Sequence, residues 1–458
     1  MLALQALAYP DFMFWGAALP ADTEFSLEDP LALDYINQQI GYLLLPALTT
    51  RSGHAQYFAV VLYGLDLAER ALREHALPGD DDEQRKLFER WERFWALACL
   101  ESRKGELSRG HPDAMRGIRG AKKAWSAGPT ALSLEYTLIS RQRELGGLGA
   151  YLAPLRDLGL VWHGSLRVTP AARSIINAFW EEADAPAHGG RFDNWAMDVL
   201  STSTRVERKV HGIRLATVGE RSRLTSILGR KAQQDRLYEA IITQAPPPTA
   251  ELAALIQAAH LGGIEEPPDV LQALLDGRCG PVSAPLRGLV ALALAYGAVA
   301  VSLRDLFDAA YRDLVDTGGL VSRAQIAANA VTLSRFAALR SASAALLADP
   351  GLPKIRGLPA HGAAFVHLLE QLVVAGPAEV LELVLRYHRQ VQRARSSGSG
   401  WISEQGVDLR ADLTNYTGYR QAAPFPGYKL DILANLLRTT GRLPTAVAPL
   451  AEPEEVEA

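Results

Sequence analysis

Ser133 to Trp180 reads SLEYTLISRQRELGGLGAYLAPLRDLGLVWHGSLRVTPAARSIINAFW, and its punctuation decides the fold class. A helix ends near Arg143, and Gly146 and Gly147 make a turn. A second helix runs over about 148–158, with Leu148, Tyr151, Leu152, Leu155 and Leu158 three or four residues apart. Gly159 stops it. LGLV and SLRVT then form two short β-runs around a turn at His163 and Gly164. Thr169 and Pro170 start a third helix, Thr as N-cap and Pro at the first position.

The order helix, turn, helix, hairpin, helix resembles a winged helix-turn-helix. Such modules lay one helix in the DNA major groove and bring the hairpin to phosphates or the minor groove. That use makes Arg141, Arg143, Arg156, His163 and Arg167 the contact candidates. The second helix carries Arg156 as its one cation, so a protein-docking role or a plain structural connector competes with DNA contact.

Outward from this stretch most of the chain reads as helix. Segments 54–76 and 83–102 show apolar spacing near 3.6, and Phe88, Trp91, Phe94, Trp95 and Leu97 form a core face. Acids at 79–84 suit the positive start of the second of these helices. Residues 103–129 are basic and Gly-rich and read as a surface loop, whereas 193–244 reads as helix. The expected fold class is mainly α: a multi-helical protein with an embedded winged helix-turn-helix and little β-structure. The expected segments are 1–129 helical, 130–185 winged-helix-like, 186–244 basic helical and 245–395 Ala/Leu-rich helical. A C-terminal loop, hairpin and helix over 396–445 and a disordered acidic tail over 446–458 complete the chain. The hairpin is placed at 401–409 around Gly406, and the closing helix at 429–440.

The chain has 458 residues, 47 basic against 51 acidic, a net charge of −4 and 48% hydrophobic residues. A disordered chain, a collagen and a histone-like polycation are excluded. The near-neutral sum hides local basic segments, carried mostly by Arg, which suits bidentate phosphate contact or simply GC-rich coding. Cys99 and Cys279 are far apart and lack zinc-ligand spacing, so two core residues in a reducing cytoplasm are expected. The N-terminus lacks a basic n-region and is not read as a signal peptide. Gly288–Leu303 is apolar but short of the ~20 residues that span a bilayer, so it reads as a core helix and no membrane role is expected.

The most basic run holds Arg205, Arg208, Lys209, Arg214, Arg221, Arg223, Arg230, Lys231 and Arg236. A phosphate-binding strip has this composition, as does a solvated helix face. Glu207 and Lys209, with Asp193 or Asp198 upstream, also fit an E-x-K site of a Mg²⁺-dependent nuclease, although such sites normally sit on strands. Near the C-terminus His388, Arg389, Arg393 and Arg395 precede a Ser/Gly loop. His388 is a possible general base there, and Arg393 and Arg395 join Trp401, Tyr416, Tyr419 and Arg420 as a possible nucleic-acid set. A mobile basic loop is the simpler reading. No P-loop, H-E-x-x-H or Gly-x-Ser-x-Gly element occurs, so no cofactor and no catalytic residue is expected.

Four stretches resemble uncharacterised bacterial phage-defence-associated helical proteins with a winged-helix-like middle. They are LLPALTTRSGHAQYF (Leu44 to Phe58), FERWERFWALA (Phe88 to Ala98), GGLGAYLAPLRDLGLV (Gly146 to Val161) and the terminal WI…YTGY…FPGYKLDIL. The resemblance implies a defence or genome-maintenance role. On that reading the chain is a non-catalytic DNA-binding or scaffolding subunit that contacts duplex phosphates. Protein partners such as an ATPase would supply chemistry, and homo-oligomers fit the same reading. A nuclease and a protein–protein adaptor are the alternatives.

Overall fold

The computed structural model describes residues 29–74, 80–107, 115–128, 130–180, 189–202, 204–224, 230–328, 330–394, 401–412 and 420–444. The tail at 446–458 and the N-terminal stretch discussed above lie outside them. Helix outweighs strand by 65% to 6%, as the periodicity implies. In chain order come α1 (Leu33–Leu44), α2 (Ala55–Glu74), α3 (Asp81–Ser102), α4 (Ile118–Ser126) and β1 (Ala131–Ser133). Next are α5 (Gln142–Leu145), α6 (Gly147–Asp157), α7 (Arg173–Asn177) and α8 (Arg191–Thr202). Three short strands follow, β2 (Arg205–Glu207), β3 (Lys209–Val210) and β4 (Ile213–Arg214), then α9 (Leu215–Arg221), α10 (Lys231–Tyr238) and α11 (Thr249–Leu261). The later part holds α12 (Pro267–Leu275), α13 (Ala284–Thr317), β5 (Val321–Ser322), α14 (Arg323–Ala328), α15 (Ala330–Leu347) and α16 (Leu352–Arg356). It closes with α17 (Gly362–Val374), α18 (Pro377–Ala394), β6 (Ile402–Gln405), β7 (Asp408–Ala411) and α19 (Leu430–Thr439).

The chain divides into two compact units, each built from two separate stretches. One comprises 29–44 with 262–428, and the other 45–261 with 429–444.

In the second unit α2 is the central helix, with Phe58, Val61, Tyr63 and Leu65 fully buried. It packs on α3, whose N-cap Asp80 accepts from the Glu83 amide at 2.7 Å and precedes three further acids, as the helix dipole favours. Gly64 sets the approach. A Cβ there would lie 2.2 Å from Trp91 Cδ1, so the indole rests directly on the α2 backbone. Trp91 Nε1 donates to the Val60 carbonyl at 3.0 Å, and Trp95 Nε1 to Ser222 Oγ at 3.0 Å. The expected aromatic core face is therefore present, with its polar tips satisfied.

A polar cluster lies inside this core. Tyr63 stacks on Phe179 with centroids 4.3 Å apart, accepts from Trp180 Nε1 at 2.9 Å and donates to Asp193 Oδ1 at 2.5 Å. Arg70 grips both oxygens of Asp193, at 2.7 and 2.9 Å, and also bonds the fully buried Asp66. Burial alone would raise the Asp193 carboxyl, but bonds from Arg70, Tyr63 and the Gly189 amide hold it below the usual carboxylate range.

The opening stretch departs from expectation at its start. The helix expected to end near Arg143 is only the four-residue α5; 131–133 is strand, and Arg141 has a left-handed φ of 51°. Two structural demands override helix propensity here. Main-chain pairing of β1 with β2 takes 131–133, and the buried Glu92 carboxylate accepts from Gln142 Nε2 at 2.8 Å and the Gly147 amide at 2.7 Å. That carboxylate caps α6, whose own cap residue Gly146 has no side chain; its burial raises its pKa, against those two bonds. Gly159 ends α6 with a φ of 69°. Leu160–Thr169 doubles back as a minimal hairpin held by the Val161–Val168 bridge and by Trp162 N–H to Arg167 C=O at 3.0 Å. Pro170 does begin a helical turn, but the Thr169 hydroxyl donates to the Gly159 carbonyl at 2.7 Å instead of capping it.

Two other expectations are corrected. Residues 118–126 are the helix α4, not loop: Ile118 and Ala121 face inward and Lys122 and Lys123 outward. The region 193–244 is not continuous helix, because 205–214 forms strands.

In the first unit α13 is the spine. Leu292, Ala293, Tyr296, Val299 and Leu303 are fully buried, and Tyr296 donates to the Leu33 carbonyl at 2.7 Å. Among the described residues it is the one helix long and apolar enough to cross a membrane, and half of its apolar window is buried within the fold. The expected C-terminal hairpin is β6–β7, turning at Gly406 (φ 65°), with β5 added to give the antiparallel order β5-β7-β6.

Candidate nucleic-acid interface

Exposed cations able to meet a phosphate backbone cluster around β3–β4. Lys209 pairs directly with Arg214 and Val210 with Ile213, leaving His211 and Gly212 as a two-residue loop. Both loop residues have positive φ, 45° and 82°, the geometry that matches the twist of a tight hairpin. Alternation then sorts the side chains: Ile213 is buried, while Lys209 and Arg214 emerge together on the solvent side. Like charges directly opposite each other destabilise a β-pair, yet neither has an acidic partner among the described residues. Arg191, at the start of α8, reaches the loop and donates to the His211 carbonyl at 3.3 Å. Three exposed cations thus surround one turn. On β2, Arg205 and Glu207 are also exposed, and Arg205 lies opposite Ser133.

The rest of the basic run does not share this face. Arg208 turns inward, where it ion-pairs with Glu101, donates to the Trp125 and Gly128 carbonyls at 3.1 and 2.8 Å and lies over the Trp125 ring at 5.0 Å. It fastens α4 to β2. Arg223 and Arg230 are buried, and Arg230 donates to the Phe179 carbonyl and Gln233 Oε1. Arg221 covers the Phe192 ring, and Lys231 pairs with Asp235 at 2.5 Å. A single solvated strip is therefore replaced by a mixture of surface and core arginines.

The candidates of the opening stretch are exposed but engaged. Arg143 bonds Asp82 at 2.5 Å, Arg141 lies 3.8 Å from Glu144, and Arg167 lies 3.4 Å from Glu69. Exposed pairs of this kind contribute about 0–1 kcal/mol each, so a phosphate can displace the acid. Arg156 is different: it donates to the Ser165 carbonyl at 2.9 Å and braces the hairpin against α6. The outward face of α6 therefore presents no free cation, while Tyr151, Pro154 and Leu155 bury the other face. The hairpin tip exposes His163 and leaves Trp162 57% accessible.

One of the two upstream nuclease carboxylates is already occupied. Asp193 is saturated by Arg70, Tyr63 and Gly189, and no group of three or more His, Cys, Asp and Glu able to hold a metal occurs among the described residues.

In the other unit, Trp401 and His388 are core residues rather than a stacking platform and a general base. His388 is fully buried. Its Nδ1 faces the Pro30 carbonyl at 2.9 Å, and its Nε2 accepts the Trp401 amide at 3.0 Å, which assigns the neutral ring protonated on Nδ1. Trp401 packs on Phe307 and Tyr311. Arg393 is exposed on α18. Arg395, Tyr416 and Tyr419 lie outside the described residues.

Sequence reading missed Arg191, which lies in the 186–244 segment but outside its basic run, and left Arg214 in the run without a role. The retrievable signal was His211-Gly212 between KV and IR, a two-residue turn flanked by inward Val210 and Ile213. Comparison of the chain with protein-family models, curated proteins and solved structures returns no match.

Proposed function

We propose that this protein is a non-catalytic nucleic-acid-binding subunit that holds duplex phosphates on the face around β3–β4. The carrying observation is the cross-strand pairing of Lys209 with Arg214, two exposed cations beside Arg191 with no acid neutralising them. A fold that places like charges side by side accepts a small cost, and a phosphodiester removes that cost by sitting between them. The reading also takes 142–177 as a reduced winged helix. Its support is the order α5, α6, hairpin, α7, with Arg141, Arg143, His163 and Arg167 on the exposed side. Arg208 and Arg156 position the contact surface rather than touch the ligand. The role in a bacterial defence or genome-maintenance assembly, with chemistry from a partner such as an ATPase, belongs to the same proposal and rests on the sequence resemblance.

The test is duplex binding by the full chain across a salt series. Each phosphate contact contributes a slope of about −0.9 in log K against log salt. Charge reversal in Lys209→Glu/Arg214→Glu is expected to reduce the slope by about two contacts and to weaken binding at every salt concentration. Unchanged binding overturns the reading.

A second reading, a protein–protein adaptor, is favoured by Trp162, an aromatic anchor left open on the hairpin. Retention of a neighbouring gene product that is lost in Trp162→Ala, without bound nucleic acid, would select it.

A further inference from the structure

The first unit carries an arginine-lined groove of about 680 Å³ between α18 and β6, in which Arg386, Arg389 and Arg393 face Ser403 and Glu404. The three arginines are three and four residues apart, so they stand on one side of α18 over about two turns. Arg389 is not free. It bonds Glu382 at 3.1 Å and ion-pairs with Glu404. Arg323 bonds the same two acids, at 3.4 and 2.6 Å. The four groups close a ring of alternating charge whose sum is zero, and the ring fixes α14, α18 and β6 to one another. Arg386 and Arg393 lie outside the ring, one on each side of Arg389. Both are exposed, and neither has an acidic partner among the described residues. The groove therefore offers two uncompensated guanidinium groups whose Cα atoms are about 10 Å apart along the axis, at ~1.5 Å per residue. Between them sits a floor that is already neutral.

We propose that this groove binds a row of two or more phosphates. Guanidinium forks match phosphate oxygens bidentately, and two forks at this separation suit linked phosphates better than one. Gln390 adds a neutral donor, whereas the Ser403 hydroxyl is spent on Asp412 Oδ1 at 3.0 Å. Among the described residues no aromatic ring lines the groove, so recognition there falls on the phosphates themselves. A free oligophosphate and a nucleic-acid backbone share that chemistry. The proposal is independent of duplex binding by the other unit.

Isothermal titration of the full chain in EDTA, with sodium tripolyphosphate, with orthophosphate and with an oligothymidylate, tests it. Tripolyphosphate is expected to bind at least tenfold tighter than orthophosphate. Arg386→Gln/Arg393→Gln should weaken it at least tenfold, and by the same factor when the chain also carries Lys209→Gln/Arg214→Gln. Both arginines are exposed, so the thermal midpoint should stay at the wild-type value; the single variants, each weakening binding severalfold, serve if the double variant does not fold. A parallel loss of oligothymidylate binding identifies a nucleic-acid backbone as the source, and loss confined to tripolyphosphate identifies a free oligophosphate. Equal affinity for orthophosphate and tripolyphosphate, an affinity unchanged in the Arg386→Gln/Arg393→Gln chain, or no binding at all overturns the proposal.

Discussion

Replacing Lys429 by Met should remove a pH dependence from the stability of this protein. Lys429 opens α19 in the second unit and is 5% exposed, with Nζ donating to the carbonyls of Leu45 at 3.2 Å and Leu48 at 2.5 Å. Burial pushes its ammonium down to about 7 from an ordinary value of 10.5, and the charge of Asp157 offsets this only in part. Between those two values the unfolded chain binds the proton and the folded chain does not, so stability rises with pH across this window. Below about 7 the penalty is complete and constant; above 10.5 it is gone. From pH 7.5 to pH 9.5 the linkage integrates to about 2–3 kcal/mol gained by the wild type, close to the ~1.36 kcal/mol per unit limit. The Met variant leaves the Leu45 and Leu48 carbonyls unpaired, a cost of about 1–3 kcal/mol each that does not vary with pH. The difference between the two chains therefore isolates the lysine, because every other titrating group cancels. Urea unfolding followed by tryptophan fluorescence at both pH values reads it. Parallel pH dependence in the two chains would refute the assignment of a neutralised buried lysine.

Three further outcomes follow from the packing. Gly64→Ala puts a Cβ into Trp91, whose indole is pinned by its bond to Val60, and should destabilise by about 1–3 kcal/mol in chemical denaturation. Asp193→Ala removes one of the two carboxylates that pair with Arg70, leaving both terminal guanidinium nitrogens without their acceptor, and should cost about 3–5 kcal/mol. The stability that Asp193 contributes is present above its ordinary value of 3.8 and is lost as pH falls through its lower folded value, so Asp193→Asn should flatten the acid limb of the pH–stability curve.

The helices were legible where an apolar stripe ran for several turns. α2, α3, α6 and α19 sit where the 3.6-residue spacing places them, and the Gly406 turn marks β6–β7. Short elements were not. β2, β3 and β4 are two or three residues long, too short for alternation to register, and only main-chain pairing with β1 or across the His211-Gly212 loop defines them. α4 was hidden by Gly117 and Gly120, which lower helix propensity, while its buried Ile118 and Ala121 and the Arg208 bonds at its end hold it in place. Two-stretch units were also illegible, since Pro and Gly breaks mark where the chain turns and not what it returns to.

The candidate interface shows the same division. Charge runs identified the neighbourhood, but direction required the backbone. Lys209 and Arg214 point outward because Val210 and Ile213 point inward, and Arg208, one residue before Lys209, is turned into the fold by the same alternation. Trp401 looked like a stacking residue because its neighbours are Arg and Gly; its burial against Phe307 and Tyr311 is a tertiary fact.

The most direct measurement of the central proposal is fluorescence anisotropy of a labelled duplex against salt, for wild type and for Lys209→Glu/Arg214→Glu. The account predicts salt-sensitive binding by the wild type and, in the variant, a log–log slope shallower by about 1.8 with weaker binding at every salt concentration. Wild-type and variant curves that superimpose, or a wild type that does not bind at low salt, would contradict it.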